Sequence, residues 1–254
     1  MKLHYRTIGE GKPLFILHGL FGSSDNWQTL GKRFAETYKV YLIDQRNHGH
    51  SPHAAAFSYN EMSEDLLELI QDLGLKKIHL LGHSMGGKTA IQFANDHAAY
   101  VDKLIIADIS HKSYPVHHDR ILEGLNAIDL NKVRTRGGAD AVLSTYISEL
   151  GVRQFLLKNL YWVESGKLGW RINLPVLTEK IADIVGGIDV DKISIPTLFI
   201  RGGRSNYILE SDYKNIHDTF TNSLIYTIEE SGHWVHAEAA DEFYTTVIDF
   251  LGNS

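Results

Sequence analysis

With 254 residues, 43% of them hydrophobic and 22% charged, the chain can bury one sizeable core, and neither a disordered nor a low-complexity composition fits it. A formal net charge of −6 leaves no basic footprint for nucleic acid or an anionic membrane surface. The absence of cysteine removes disulfides, thiolate nucleophiles and Cys-ligated zinc.

The first residues enter strand-like alternation directly, without the apolar run of a secretory leader, and no stretch approaches ~18 apolar residues. A cytoplasmic location without a membrane span is therefore expected. Residues 3–8 alternate, residues 9–13 (Gly-Glu-Gly-Lys-Pro) read as a hairpin-like turn, and residues 14–17 read as a buried strand ending in His18-Gly-Leu-Phe-Gly22. An amphipathic stretch with Trp27, Leu30 and Phe34 follows. Residues 40–43 form a second apolar strand, ending in Asp44-Gln-Arg-Asn-His48. Leu66, Leu67, Leu69, Ile70 and Leu73 make a helical stripe.

Residues 78–81 are a third apolar strand, and Ser84 onward reads as a helix. Between them stands Gly82-His83-Ser84-Met85-Gly86, the G-x-S-x-G spacing of a nucleophile elbow. A turn from strand to helix within one residue strains the serine backbone and needs flanking residues without side chains. It lifts the Ser84 hydroxyl above the sheet and leaves the Met85 amide at a helix start, where developing negative charge is favoured. Residues 104–107 are the next apolar strand and end at Asp108. Strands that are apolar throughout and alternate with helices predict an α/β fold with a mostly parallel sheet covered on both faces, its site beyond the strand carboxyl ends.

From residue 111 to about 191 this rhythm stops. Helical stretches near residues 119–126, 140–150 and 152–158 dominate, with Tyr114, Phe155, Tyr161, Trp162 and Trp170 as aromatic surface able to roof a pocket. The expected organisation is a core of residues 1–110 and 192–254 with a helical cap insertion at 111–191. A strand at 196–200, a helix at about 209–219, a strand at 224–228 and a last helix at 239–251 complete the chain.

A serine hydroxyl needs a base within about 2.6–3.2 Å, itself oriented by a third group. His233 follows the last strand beside Gly232 and is the expected base; His236 is the competitor, expected to be partly buried and hydrogen-bonded. The loop after the penultimate strand, Gly202-Gly-Arg-Ser-Asn-Tyr207, offers no carboxylate. Asp108, at the end of the preceding strand, is the expected acid over Glu210 or Asp212. The oxyanion donors expected are the amides of Met85 and of Leu20 or Phe21. His18, Arg46, Asn47 and His48 are read as structural polar groups. His111, His117 and His118 lack a carboxylate spaced to complete a metal site, so neither metal nor cofactor is expected.

Together, residues 18–27, 44–51, 82–88, 202–207 and 232–238 resemble the YbfF-type esterases of the α/β-hydrolase superfamily. The resemblance implies Ser84 as nucleophile, His233 as base, Asp108 as acid, and donors at Leu20 or Phe21 and Met85. It also implies hydrolysis of short acyl esters, with acyl thioesters as a further class, on a small-molecule substrate beneath a helical cap. C–C bond hydrolysis, a lyase step or a non-catalytic binding role on the same fold are the alternatives.

Overall fold

The computed structural model describes residues 1–116 and 118–252. Strand β1 (Tyr5–Ile8) and β2 (Lys12–Leu17) precede α1 (Gln28–Phe34), β3 (Tyr38–Ile43) and α2 (Tyr59–Asp72). Next come β4 (Ile78–His83), α3 (Met85–Asp96) and β5 (Val101–Ala107). Residues 111–191 hold the helices α4 (Asp119–Asn126), α5 (Arg136–Leu143) and α6 (Leu150–Leu157), the hairpin β6 (Leu160–Glu164) and β7 (Lys167–Trp170), and the short helices α7 (Leu174–Glu179) and α8 (Ile181–Val185). The sheet resumes with β8 (Thr197–Gly202), α9 (Tyr213–Thr219) and β9 (Ser223–Ile228), then α10 (Val235–Glu238) and α11 (Ala240–Gly252).

Seven strands form one sheet in the order β1-β3-β2-β4-β5-β8-β9. All neighbours are parallel except β1 and β3. The hairpin expected across residues 9–13 does not form: Tyr5 faces Ile43 and Ile8 faces Val40 in an antiparallel ladder, while β2 lies on the other side of β3. The connection must cross the start of β3. It passes so close that a Cβ on Gly9, at φ +79°, would stand 2.4 Å from the Ala35 carbonyl oxygen and 2.6 Å from that of Tyr38. Only glycine fits there.

Side chains alternate between two cores as the pleat demands. Phe15, Leu17, Leu80, Leu104 and Ile106 pack with α2 and α3 on one face; Leu14, Ile16, Leu81, Ile105 and Ala107 pack with α1 and α11 on the other. A third cluster joins Leu122, Leu125, Leu143, Leu156 and Leu174 of residues 111–191 to Phe21, Phe57, Tyr59 and Met85 beside the strand ends. This segment therefore sits over the carboxyl end of the sheet.

Several boundaries differ from expectation. The helix expected at 140–150 begins earlier, because Thr135 caps it by accepting from the Gly138 amide at 3.0 Å. The β6–β7 hairpin was not anticipated; its signal was the run Tyr161-Trp162-Val163 before the turn at Gly166, whose φ is +77°. The helix expected at 209–219 is a 3-10 turn, Glu210–Asp212, followed by α9, while the last helix, expected at 239–251, is α11, with the short α10 before it not anticipated. No helix among the described residues is long and apolar enough to cross a membrane.

Candidate active site

Among the described residues, four that are not glycine adopt positive φ: Phe21 (60°), Asn47 (65°), Ser84 (53°) and Asp108 (49°). They follow β2, β3, β4 and β5, which places all four on the same rim. Such backbone costs of the order of 1–3 kcal/mol per residue and persists only where the surroundings fix it. At Ser84 the surroundings are explicit. Its amide donates to the Ala107 carbonyl at 3.1 Å, and the turn brings Gly82 and Gly86 so close that added Cβ atoms would meet the Gly86 carbonyl oxygen at 2.2 Å and the His18 and Leu17 carbonyl oxygens at 2.6 Å.

The structure brings Ser84, His233 and Asp108 together. The Ser84 hydroxyl lies 3.0 Å from His233 Nε2, and His233 Nδ1 lies 2.8 Å from Asp108 Oδ2. Asp108 is fully buried, and its carboxylate accepts from the Gly202 amide at 3.0 Å and from the Ser205 hydroxyl. Nδ1–H of the imidazole is thereby committed to the carboxylate, leaving Nε2 to accept from the serine. Two further contacts hold His233, one on its ring and one on its backbone. Tyr207 stacks on the ring at 3.9 Å and 17°, and burial together with the Asp108 charge pushes the Tyr207 phenol up to about 12. From below, His83 Nε2–H donates to the His233 carbonyl at 2.9 Å; burial holds the His83 imidazole well below its ordinary pKa, in its neutral form.

The competing residues are placed elsewhere. His236 is buried and stacks on Trp27 at 4.2 Å and 12°, with its Nδ1 lacking a hydrogen-bond partner, so it is a packing residue and not the hydrogen-bonded one expected. Asp212 pairs with Lys112 and accepts from the Leu209 amide at 2.8 Å, and Glu210 is exposed. His111 lies 3.2 Å from Asn215, His118 lines the cavity described below, and His117 lies outside the described residues.

Of the backbone donors, the Phe21 amide is engaged: it donates to His48 Nε2 at 3.2 Å. His48 Nδ1–H in turn donates to the Arg46 carbonyl at 2.9 Å, and burial pushes the His48 imidazole down to about 3, so Nε2 stays an acceptor. No such partner takes the amides of Leu20 and Met85 among the described residues, and Leu20, Met85 and Ser84 line one small cavity. The neighbouring polar groups hold the loops. His18 Nδ1–H donates to the Gly19 carbonyl and its Nε2 accepts from the Gln45 amide. Arg46 clamps Asp65 through Nε and an Nη at 2.6 and 2.8 Å. Asn47 accepts from Ala54 and Asn173.

Two cavities meet at Ser84. The larger, about 840 Å³, runs between the rim and α6, lined by Phe21, Val152, Phe155, Leu156 and Trp234 among others. The smaller, about 30 Å³, lies on the other side of Ser84 toward Tyr59, Lys88, Tyr114 and Ile184. The sequence reading missed Ser205 and Tyr207, although a hydroxyl and an aromatic ring in the very loop lacking a carboxylate were the available signal. It also passed over Lys88.

A family profile described as alpha/beta hydrolase fold matches residues 12–240. The sn-1-specific diacylglycerol lipase ABHD11 of Danio rerio is 37% identical over 252 residues, covering 96% of this chain and 79% of that one. The esterase YbfF of Escherichia coli is 34% identical, covering 95% and 93%. Among solved structures, a marine microorganism esterase superposes with a TM-score of 0.96 at 41% identity, over 98% and 99% of the two chains. The chain belongs to the α/β-hydrolase family.

Proposed function

We propose that this chain is a serine esterase that cleaves short acyl esters of small molecules through an acyl-serine intermediate. It is an enzyme of ester-bond hydrolysis, similar over nearly its whole length to proteins named esterase and lipase. The observation that carries the mechanism is the unbroken line from hydroxyl to imidazole to buried carboxylate, at 3.0 and 2.8 Å, beside two unengaged amides.

Along that line His233 Nε2 takes the Ser84 proton as the oxygen attacks the ester carbonyl. The imidazolium so formed is stabilised by Asp108 through Nδ1–H. The carbonyl oxygen, now negative, is received by the amides of Leu20 and Met85. His233 passes its proton to the departing alkoxide, which leaves as the alcohol. Water, deprotonated by the same nitrogen, then releases the acid and restores Ser84. The larger cavity takes the alcohol portion and the smaller the acyl portion, which is why short acyl chains are favoured. Residues 111–191 act as the cap and residues 1–110 and 192–254 as the hydrolase core.

The test is a fluorophosphonate probe together with p-nitrophenyl esters from acetate to decanoate. Stoichiometric labelling and turnover, both lost in Ser84→Ala, are expected, with turnover falling as the acyl chain lengthens. A folded protein that takes no label removes the mechanism, and rising turnover toward decanoate removes the short-chain assignment.

A further inference from the structure

Helix α3 carries Lys88 one turn beyond Ser84, on the same face of the helix. It is among the largest side chains with almost no exposure, at 1%, and the esterase mechanism makes no use of it. Two of its three ammonium protons have acceptors, the carbonyls of Val185 and Gly186 at the end of α8. The rings of Tyr114 and Tyr59 lie 5.0 and 5.8 Å from Nζ. No carboxylate stands within 4.0 Å of it among the described residues, since none of the ion pairs involves Lys88. Burial lowers its pKa only to about 8, so the group is predominantly cationic at neutral pH.

A buried cation without an anion is costly unless something charged completes it. The wall it shares with Ser84 says where that partner would come from. Both residues line the small cavity, whose other sides are largely apolar or aromatic: Leu20, Met85, Ile109, Ile184 and Tyr114. One helical turn separates the two residues, ~5–6 Å along the axis, the span of a chain of a few carbons.

We propose that Lys88 is a specificity residue that receives a terminal carboxylate on the acyl side of the substrate, so that the preferred substrates are half-esters of short dicarboxylic acids. This rests on the esterase reading and narrows it. The ester carbonyl sits at Ser84, the acyl chain runs down the small cavity, and its far carboxylate accepts the ammonium proton left over by Val185 and Gly186. The aromatic rings of Tyr59 and Tyr114 bound the chain laterally and offer the cation only weak compensation of their own.

The test compares monomethyl succinate with methyl succinamate, which differ only in a carboxylate against a carboxamide at the far end. Wild-type enzyme should favour the acid by about tenfold or more in kcat/KM, the scale of one buried charge-assisted hydrogen bond. Lys88→Met should bring that ratio close to one, losing far more on the acid than on the amide. Lys88→Arg, which keeps the charge, should retain part of the preference. Equal loss on both substrates in Lys88→Met would mean that Lys88 only anchors α8, and would overturn the proposal. So would a wild-type enzyme that cleaves the amide as well as the acid, a result that needs no variant to fold. Cleavage of neither ester, with no labelling by the fluorophosphonate, would remove the esterase reading and this one with it.

Discussion

Along the rim of the sheet, four consecutive parallel strands are each followed, within four residues, by a non-glycine residue at positive φ, and every one of those residues touches the site or supports it. Across residues 111–191 no described non-glycine residue has such a backbone; that segment is held by side-chain packing, with Leu125, Leu143, Leu156 and Leu177 almost fully buried in the cluster it shares with Phe21, Phe57, Tyr59 and Met85. The rim has fixed its geometry in the main chain, where a substitution changes chemistry with little repacking. The segment above it has fixed only a shape, which can be refitted residue by residue.

If that contrast is right, the largest effects should come from the rim. Asp108→Asn keeps the volume but leaves His233 without its charged partner, and kcat on a short ester should fall by about 10⁴-fold with the circular dichroism spectrum retained. Turnover within a few-fold of wild type would show that another carboxylate orients the base.

Next in size is an effect on stability with pH. Burial pushes the His236 imidazole down to about 3 in the fold, against about 6.5 in an unfolded chain. Above pH 6.5 neither state is protonated and the full stability is present. As the pH falls from 6.5 toward 3, only the unfolded chain gains the proton, so stability drops by about 1.4 kcal/mol per pH unit for this one group. His236→Phe keeps the stack on Trp27 and should flatten the fall in Tm between pH 7 and pH 5. An unchanged slope would mean that other buried groups dominate the acid limb.

Ser205→Ala removes one of the groups that hold the Asp108 carboxylate while leaving the Gly202 amide in place. A fall of about tenfold in kcat with little change in KM is expected, in line with one hydrogen bond to a charged group. A rise in KM alone would instead place Ser205 in substrate binding. The smallest effect belongs to the upper segment. Phe155→Ala, in the wall of the larger cavity, should change KM for bulky alcohol portions by roughly threefold and leave kcat alone, as uniform binding energy does. A larger loss in kcat would show that the segment shapes the chemistry as well as the cavity, and the contrast between the two regions would fail.

The same division governs what could be read from the residues alone. Strand ends announce themselves, because an apolar run followed by Gly-His-Ser-Met-Gly or His-Gly-Leu-Phe-Gly leaves few ways to turn; Ser84, His233 and the Leu20 loop were legible for that reason. Asp108 was reached by elimination, since the loop at residues 202–207 carries no acid. The group that loop does supply, the Ser205 hydroxyl, has no local pattern and became visible only when β5 and β8 were seen side by side. That the Phe21 amide is already engaged while the Leu20 amide is not likewise depends on a contact 27 positions away, from His48. Pairing of β1 with β3, and the β6–β7 hairpin, were missed because edge pairing and short aromatic strands are decided by neighbours in space, not by the period of the sequence.

Two asparagines tie the regions to each other. Asn159, just after α6, donates through Nδ2 to the Phe21 carbonyl at 2.8 Å, and Asn173 donates its own amide to the Asn47 carbonyl at 2.9 Å. Both grips fall on rim residues with left-handed backbone. Swinging the roof away would therefore strip both of those turns of a hydrogen bond at once, so the segment above and the rim below cannot part without each loosening the other.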